Sequence, residues 1–166
     1  MTKLNIKVRA SQIKLLLTDC DGVLTDGGVY YTSKGEEMKK FSLRDGMGVA
    51  RLREICRIET GIITGENSPI VTKRAEKLKI ELLFLGIKNK REVLEQIMHE
   101  KALALHQIAY IGDDVNDSEV LQRVGLAACP ADAMHGIKEI VHYHCTRNGG
   151  HDCFREFAEL IIANRN

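Results

Sequence analysis

The chain is 166 residues long with 44% hydrophobic and 28% charged residues, a balance that suits one globular domain able to bury its own core. Its 24 basic and 23 acidic residues leave a formal charge of +1, so no strong field draws it to nucleic acid or an anionic membrane. No apolar run approaches the ~20 residues that cross a bilayer, residues 1–7 lack the apolar core of a secretory signal, and five scattered cysteines without a C-x-x-C pair fit a reducing cytoplasm.

Short apolar runs alternate with helical periodicity along the chain. Strands are predicted at about 13–18, 58–63, 81–85, 107–112 and 125–128, with a weaker one near 140–143. Helices are predicted at about 46–55, 68–78, 89–101, 116–123, 133–139 and 152–163. That alternation predicts a single α/β domain over 1–166: three layers, Rossmann-like, with a mostly parallel sheet and helices on both faces. The first strand, Leu15-Leu16-Leu17, stops at Asp19-Cys20-Asp21-Gly22. Two acids at the carboxyl end of a buried strand repel each other and resist desolvation. A divalent cation with a phosphate offsets that; a solvated Asp-Gly turn is the simpler alternative.

Between the first strand and first helix, aromatic and β-branched residues flank a Gly-containing turn, which predicts a protruding β-hairpin over about 28–41. Because such a ribbon is marginal alone, Val29, Tyr30, Tyr31 and Phe41 need a partner surface, on their own domain or on another subunit. The second strand ends in Thr64-Gly65-Glu66-Asn67-Ser68-Pro69, where a hydroxyl and backbone N–H groups can hold an anion and also cap the next helix. After the third strand a lysine, Lys90 or Lys88, stands at a helix start, where the dipole disfavours it; one of them therefore needs an anionic partner. The fourth strand ends in Gly112-Asp113-Asp114-Val115-Asn116-Asp117. Two acidic clusters after buried parallel strands should converge on one sheet edge, with oxygen ligands better suited to Mg²⁺ than to zinc. His142 and His144 share a strand face but lack an evident third zinc ligand, so they read as paired polar residues on a half-exposed strand.

Taken in order, Asp19-x-Asp21-Gly-Val, Thr64, Lys90 and Gly112-Asp113-Asp114-x-x-Asp117 resemble the four motifs of the haloacid dehalogenase superfamily. The resemblance implies Asp19 as a nucleophile that forms an aspartyl-phosphate and Asp21 as acid, then base. It also implies Mg²⁺ on Asp19, Asp113 and the Asp21 carbonyl, with Asp114 and Asp117 positioning ligands and waters. Thr64 and Lys90 would hold phosphate oxygens, with Lys88 as the runner-up to Lys90. The gaps between motifs leave no room for a cap domain, so a neighbouring subunit is expected to cover the site.

A finer resemblance rests on Asp-Gly-Val-Leu-Thr-Asp-Gly, Arg44-Asp45-Gly46-Met47-Gly48 and Asn148-Gly149-Gly150 with Phe154-Arg155-Glu156. These are similar to the 3-deoxy-D-manno-octulosonate 8-phosphate (KDO-8-phosphate) phosphatase family and its 2-keto-3-deoxynonulosonate 9-phosphate (KDN-9-phosphate) relatives. The resemblance implies a homotetramer with the hairpins at its centre, a C-terminal tail of about 147–166 at the subunit interface, and a small sugar-acid phosphate as substrate. It makes Arg44, Arg147 and Arg155 candidates for substrate or interface contacts. Glu66 with Lys77 points to the nine-carbon branch, whereas Arg44-Asp45-Gly46 points to the eight-carbon branch; on Glu66, whose carboxylate can accept bonds from sugar hydroxyls, the expectation leans to a nine-carbon substrate. Asp152 stands where the family tail carries glycine, in a conformation that Asp adopts only at some cost. The rival classes are a receiver-type signalling domain, whose order of motifs differs, and a non-catalytic assembly module related to the acylneuraminate cytidylyltransferase tail.

Overall fold

Three consecutive leucines serve both faces of the first strand, because side chains alternate along a strand. In the computed structural model, which describes residues 3–165, Leu16 enters one core while Leu15 and Leu17 enter the other. This strand, β1 (Leu15–Thr18), lies at the centre of the sheet. β4 (Glu59–Ile63) and β5 (Leu82–Phe84) extend the sheet on one side; β6 (Ile108–Ile111), β7 (Leu126–Cys129) and β8 (Tyr143–His144) extend it on the other. Every neighbouring pair is parallel, so the order β5-β4-β1-β6-β7-β8 reverses direction at β1. In such sheets the crevice for ligands opens at the carboxyl ends on either side of the switch point.

Residues from α1 (Lys3–Gln12), α2 (Leu43–Cys56), α3 (Pro69–Leu78) and α7 (Cys153–Ala163) join one core, including Ala10, Val49, Val71 and Phe157. The opposite core takes Leu94 of α4 (Lys90–Lys101), Val120 of α5 (Ser118–Leu121) and Ile137 of α6 (His135–Ile140). This is the three-layer architecture expected, with all strands of the main sheet parallel. Apart from that sheet, β2 (Tyr30–Thr32) and β3 (Gly35–Met38) form the expected antiparallel hairpin around Ser33 and Lys34. It is the one insertion between β1 and α2, and α3 is the one helix between β4 and β5, so no cap domain occurs among the described residues.

Three local expectations change. The helix α1 was not foreseen, for its apolar residues are too sparse to mark a face. α2 begins at Leu43 rather than near 46, because the Ser42 hydroxyl accepts from the N–H groups of Arg44 (3.1 Å) and Asp45 (3.4 Å). The helix expected at 116–123 is a 3-10 turn, Val115–Asp117, followed by the four-residue α5. Of the two partners left open for Phe41, it takes its own domain, packing on the core beneath the Arg74 guanidinium, 5.2 Å from its ring centroid. Tyr30 and Tyr31 do project outward, 61% and 70% exposed.

The tail expected at a subunit interface is in large part a core element of its own chain. Phe154, Phe157 and Ile161 of α7 are fully buried against α2 and the sheet. Ahead of them, Gly149 and Gly150 press on the loop after β1: a Cβ on Gly149 would overlap the Gly22 carbonyl, and one on Gly150 would overlap the Asp26 N–H. Asp152 does take the glycine-like conformation (φ 79°, ψ 15°). Its carboxylate offsets the strain by accepting from the Ser42 hydroxyl (2.6 Å) and the Arg44 guanidinium (2.9 Å).

Candidate active site

The carboxyl ends of β1, β4 and β6 bring Asp19, Asp21, Thr64, Glu66, Asp113 and Asp114 to one open pocket, with Gly22, Gly27, Gly65 and Asn116 completing its wall. Asp19 is buried at its base. One oxygen accepts the Cys20 N–H (2.6 Å) and the other pairs with Lys90 (2.8 Å). Lys90 is the first residue of α4, behind the Asn89 cap, and its ammonium is buried between Asp19 and Asp117 (2.7 Å). Burial disfavours that charge, but the two carboxylates outweigh it and raise the lysine's pKa. Lys88 is exposed and does not line the pocket.

Asp117 has no oxygen left for a ligand. Oδ1 accepts from Lys90 (2.7 Å) and from the Tyr110 hydroxyl (2.5 Å), while Oδ2 accepts the N–H groups of Asp113 (3.0 Å) and Asp114 (3.4 Å). It therefore shapes the turn that presents Asp113. Tyr110 was not anticipated as its partner, although a tyrosine inside the buried run Ile108-Ala109-Tyr110-Ile111 had to find one. Asp113 has a buried Oδ1 without any partner. Its carboxylate rests against Gly22 (φ 80°), where any Cβ would overlap Oδ2.

Asp19, Asp113 and Asp117 each bring an oxygen within 4.8 Å of the others. Burial, then the charge of Asp117, pushes Asp19 up to about 7 against the pull of Lys90. Burial, with Asp19, Asp117 and Asp114, pushes Asp113 up to about 8. One lysine does not balance these acids, and hard oxygen donors with an orphaned carboxylate oxygen fit a divalent cation such as Mg²⁺. The alternative histidine pair is committed elsewhere: His142 Nδ1 accepts the Ala127 N–H (2.8 Å), and His144 Nε2 meets the Lys138 carbonyl (2.6 Å).

Asp21 stands at the pocket's rim, where three bonds hold its carboxylate. The Thr25 hydroxyl donates to Oδ1 (3.1 Å), and the Lys39 ammonium donates to both Oδ1 (2.8 Å) and Oδ2 (2.7 Å). Nothing in the spacing of Asp21 and Lys39 signals that pairing. Thr64, buried, accepts the Glu66 N–H on Oγ1 (3.2 Å), which leaves its own proton free to donate into the pocket. Glu66 is exposed on the wall; Lys77, in the last turn of α3, is exposed and outside the pocket lining. Arg44, Arg147 and Arg155 gather along a second depression with Thr146, Asp152 and Glu156, which shares no residue with the first.

A parallel sheet carrying two aspartates after β1, a threonine after β4, a buried lysine and an acidic turn after β6 defines a haloacid dehalogenase-like hydrolase, and residues 31–152 match that family. The 3-deoxy-D-manno-octulosonate 8-phosphate phosphatase of Haemophilus influenzae is 36% identical over 154 residues, 93% of this chain and 85% of its own length. A probable YrbI-family phosphatase from Pseudomonas syringae superposes with a TM-score of 0.96 at 39% identity, covering 99% of this chain and 93% of that one. The Moraxella catarrhalis 3-deoxy-D-manno-octulosonate 8-phosphate phosphatase, solved with a magnesium ion, a phosphate ion and KDO, has a TM-score of 0.96 at 33% identity over 99% and 94% of the two chains. This chain belongs to the KDO-8-phosphate phosphatase family and is a phosphoric monoester hydrolase. The receiver and non-catalytic alternatives are thereby set aside.

Proposed function

We propose that the chain hydrolyses the phosphate monoester of a 3-deoxy-2-ulosonic sugar acid, with KDO-8-phosphate the leading substrate, Mg²⁺ as cofactor and Asp19 as the phosphoryl acceptor. The observation that carries this reading is the buried Asp19 carboxylate, paired with Lys90 at 2.8 Å and facing Asp113, whose Oδ1 has no partner. The named substrate and metal come from the family relatives.

Asp19 attacks phosphorus, the bond to the sugar oxygen breaks, and the leaving alkoxide takes its proton from Asp21, which must enter this step protonated. Asp21, now a carboxylate, removes a proton from the water that attacks the aspartyl-phosphate, which releases phosphate and restores Asp19. Lys90 screens the repulsion between Asp19 and the incoming phosphate, and the Thr64 hydroxyl donates to one of its oxygens. Asp19, Asp113 and the Asp21 carbonyl would hold Mg²⁺, which neutralises phosphate charge and fixes its orientation. Asp114 and Asp117 shape that site, Asp117 through its bonds to the Asp113 and Asp114 N–H groups.

Glu66 favours a second substrate, KDN-9-phosphate: its exposed carboxylate on the pocket wall can accept bonds from the hydroxyls of a longer sugar. Comparing kcat/KM for the two esters decides between them. Asp19→Asn should abolish turnover of both; a retained wild-type rate overturns the covalent mechanism.

The open pocket and the exposed Tyr30, Tyr31 and Met38 of the hairpin support a homotetramer in which a neighbour covers the site. In that assembly the Arg44, Arg147 and Arg155 cluster would face a neighbour's substrate. The measured mass in solution tests the assembly, and a monomer overturns it. A cytoplasmic location accords with five free thiols and with no described helix being long and apolar enough to cross a membrane.

A further inference from the structure

The hairpin is tied to the catalytic pocket by Glu36 of its second strand, β3, and by Lys39, which follows that strand. Lys39, just beyond β3, has a side chain that is 0% exposed, and its ammonium bonds both oxygens of Asp21 (2.8 and 2.7 Å). Burial alone would lower its pKa, but Asp21 and Glu36 more than compensate, so it stays charged. Glu36, on β3, lies 3.4 Å from the same ammonium and accepts a hydrogen bond from the Ser68 hydroxyl through its other oxygen.

Ser68 is the residue before α3, two positions after Glu66 of the Thr64-Gly65-Glu66 loop, and is buried. Serine at that position ordinarily caps the helix through its side chain. Here it makes no such bond. The hydroxyl turns to Glu36 instead. A continuous polar chain, Asp21–Lys39–Glu36–Ser68, thus connects the loop after β1 to the loop after β4 by way of the hairpin.

We propose that Lys39 is a positioning residue for Asp21, holding it as an oriented carboxylate for the second half of the reaction, and that Glu36 and Ser68 hold Lys39 in place. The proposal rests on the assignment of Asp21 as acid and base. Two charge-assisted bonds to both oxygens fix the rotation of the carboxylate as one bond cannot. Thr25, which reaches only Oδ1, would leave it free to turn. The orientation matters most when Asp21 must draw a proton from water attacking the phosphorylated Asp19.

The test uses 4-nitrophenyl phosphate, whose leaving group needs no proton, so kcat/KM reports transfer to Asp19 and kcat reports breakdown of the phospho-enzyme. Lys39→Met should lower kcat about 100-fold while changing kcat/KM less than about 3-fold, with a burst of about one nitrophenolate per site. Lys39→Arg, which restores a bidentate donor, should recover most of kcat. Glu36→Gln leaves both bonds to Asp21 and should show the same split at about 3-fold; it serves as the second variant if Lys39→Met does not fold. Equal losses in kcat and kcat/KM, or no loss, overturn the proposal. A wild-type enzyme that forms no phospho-enzyme overturns instead the mechanism on which it rests.

Discussion

The ammonium of Lys90 and the carboxylate of Asp117 form a 2.7 Å ion pair in which neither side chain meets solvent. Asp117 also accepts the Tyr110 hydroxyl and the N–H groups of Asp113 and Asp114, so one carboxylate anchors both Lys90 and the acidic turn. In Asp117→Asn one oxygen becomes an NH₂ that faces donors, and Lys90 loses a counter-charge. We expect a stability loss of about 3 kcal/mol in urea denaturation and a fall in kcat of about 100-fold or more.

With Oδ1 of Asp113 unpartnered, the metal-free protein should respond to Mg²⁺. At a hundred times its Kd, a ligand that binds only the folded state stabilises it by about 2.7 kcal/mol, or about 5–10 °C for a domain of this size. Thermal unfolding with and without Mg²⁺ should show that rise in the wild type and lose it in Asp113→Asn. An undiminished shift in the variant would remove Asp113 from the metal site.

Asp45 is buried with its Oδ2 unpartnered, while Oδ1 accepts the Arg155 N–H at 2.8 Å. Burial pushes its pKa up to about 6 in the folded protein. The folded state then holds this proton more tightly than the unfolded chain does. The group's contribution to stability therefore falls as pH rises from about 4 to about 6, and stays low above that, a change of order 2–3 kcal/mol. Asp45→Asn lacks the titration, so its stability relative to wild type should rise from pH 4 to pH 7 in matched denaturant titrations. A constant difference would contradict the assignment.

Asp152 holds a left-handed conformation through its bonds to Ser42 and Arg44. Replacement by glycine removes both the bonds and the strain, and should change stability by less than about 1 kcal/mol. Alanine removes the bonds and keeps the strain, and should cost about 1–2 kcal/mol, a drop of about 2–8 °C in Tm. The order of the two melting temperatures is the test.

Gly149 touches the backbone of Gly22, next to Asp21. In Gly149→Ala the added methyl has only backbone to displace, so the loop carrying Asp21 must move. We expect kcat to fall by more than about 10-fold, because a displacement near 1 Å can cost about 100-fold. Activity at a temperature well below the variant's own Tm isolates this effect from unfolding.

Much of the fold is local and therefore legible in the chain. Leu15–Leu17, the run Ile108–Ile111 and the spacing of helices between them mark buried parallel strands, and each of these two strands leads into an aspartate of the pocket. Asp19, Asp21, Thr64 and Asp113 meet in one pocket because parallel strands deliver their carboxyl ends to one edge. The choice between Lys88 and Lys90 depends on where α4 begins: Lys90, its first residue, sits between two carboxylates, whereas Lys88, before the Asn89 cap, is exposed. Phe41 and α7 likewise carry apolar patterns that cannot say whether their partner is their own core or another chain.

The amino-acid order by itself determined the sheet, the edge at which the chemistry gathers and the acids that gather there, because strand periodicity and motif position act over short stretches. Only the tertiary structure decided what holds those acids. Lys39 reaches Asp21 across 18 positions, Lys90 reaches Asp117 across 27, and Arg155 donates its N–H to Asp45 across 110. Such partners meet through packing of elements whose relative placement no local pattern encodes. The bonds that orient the pocket's carboxylates are for that reason a property of the folded chain.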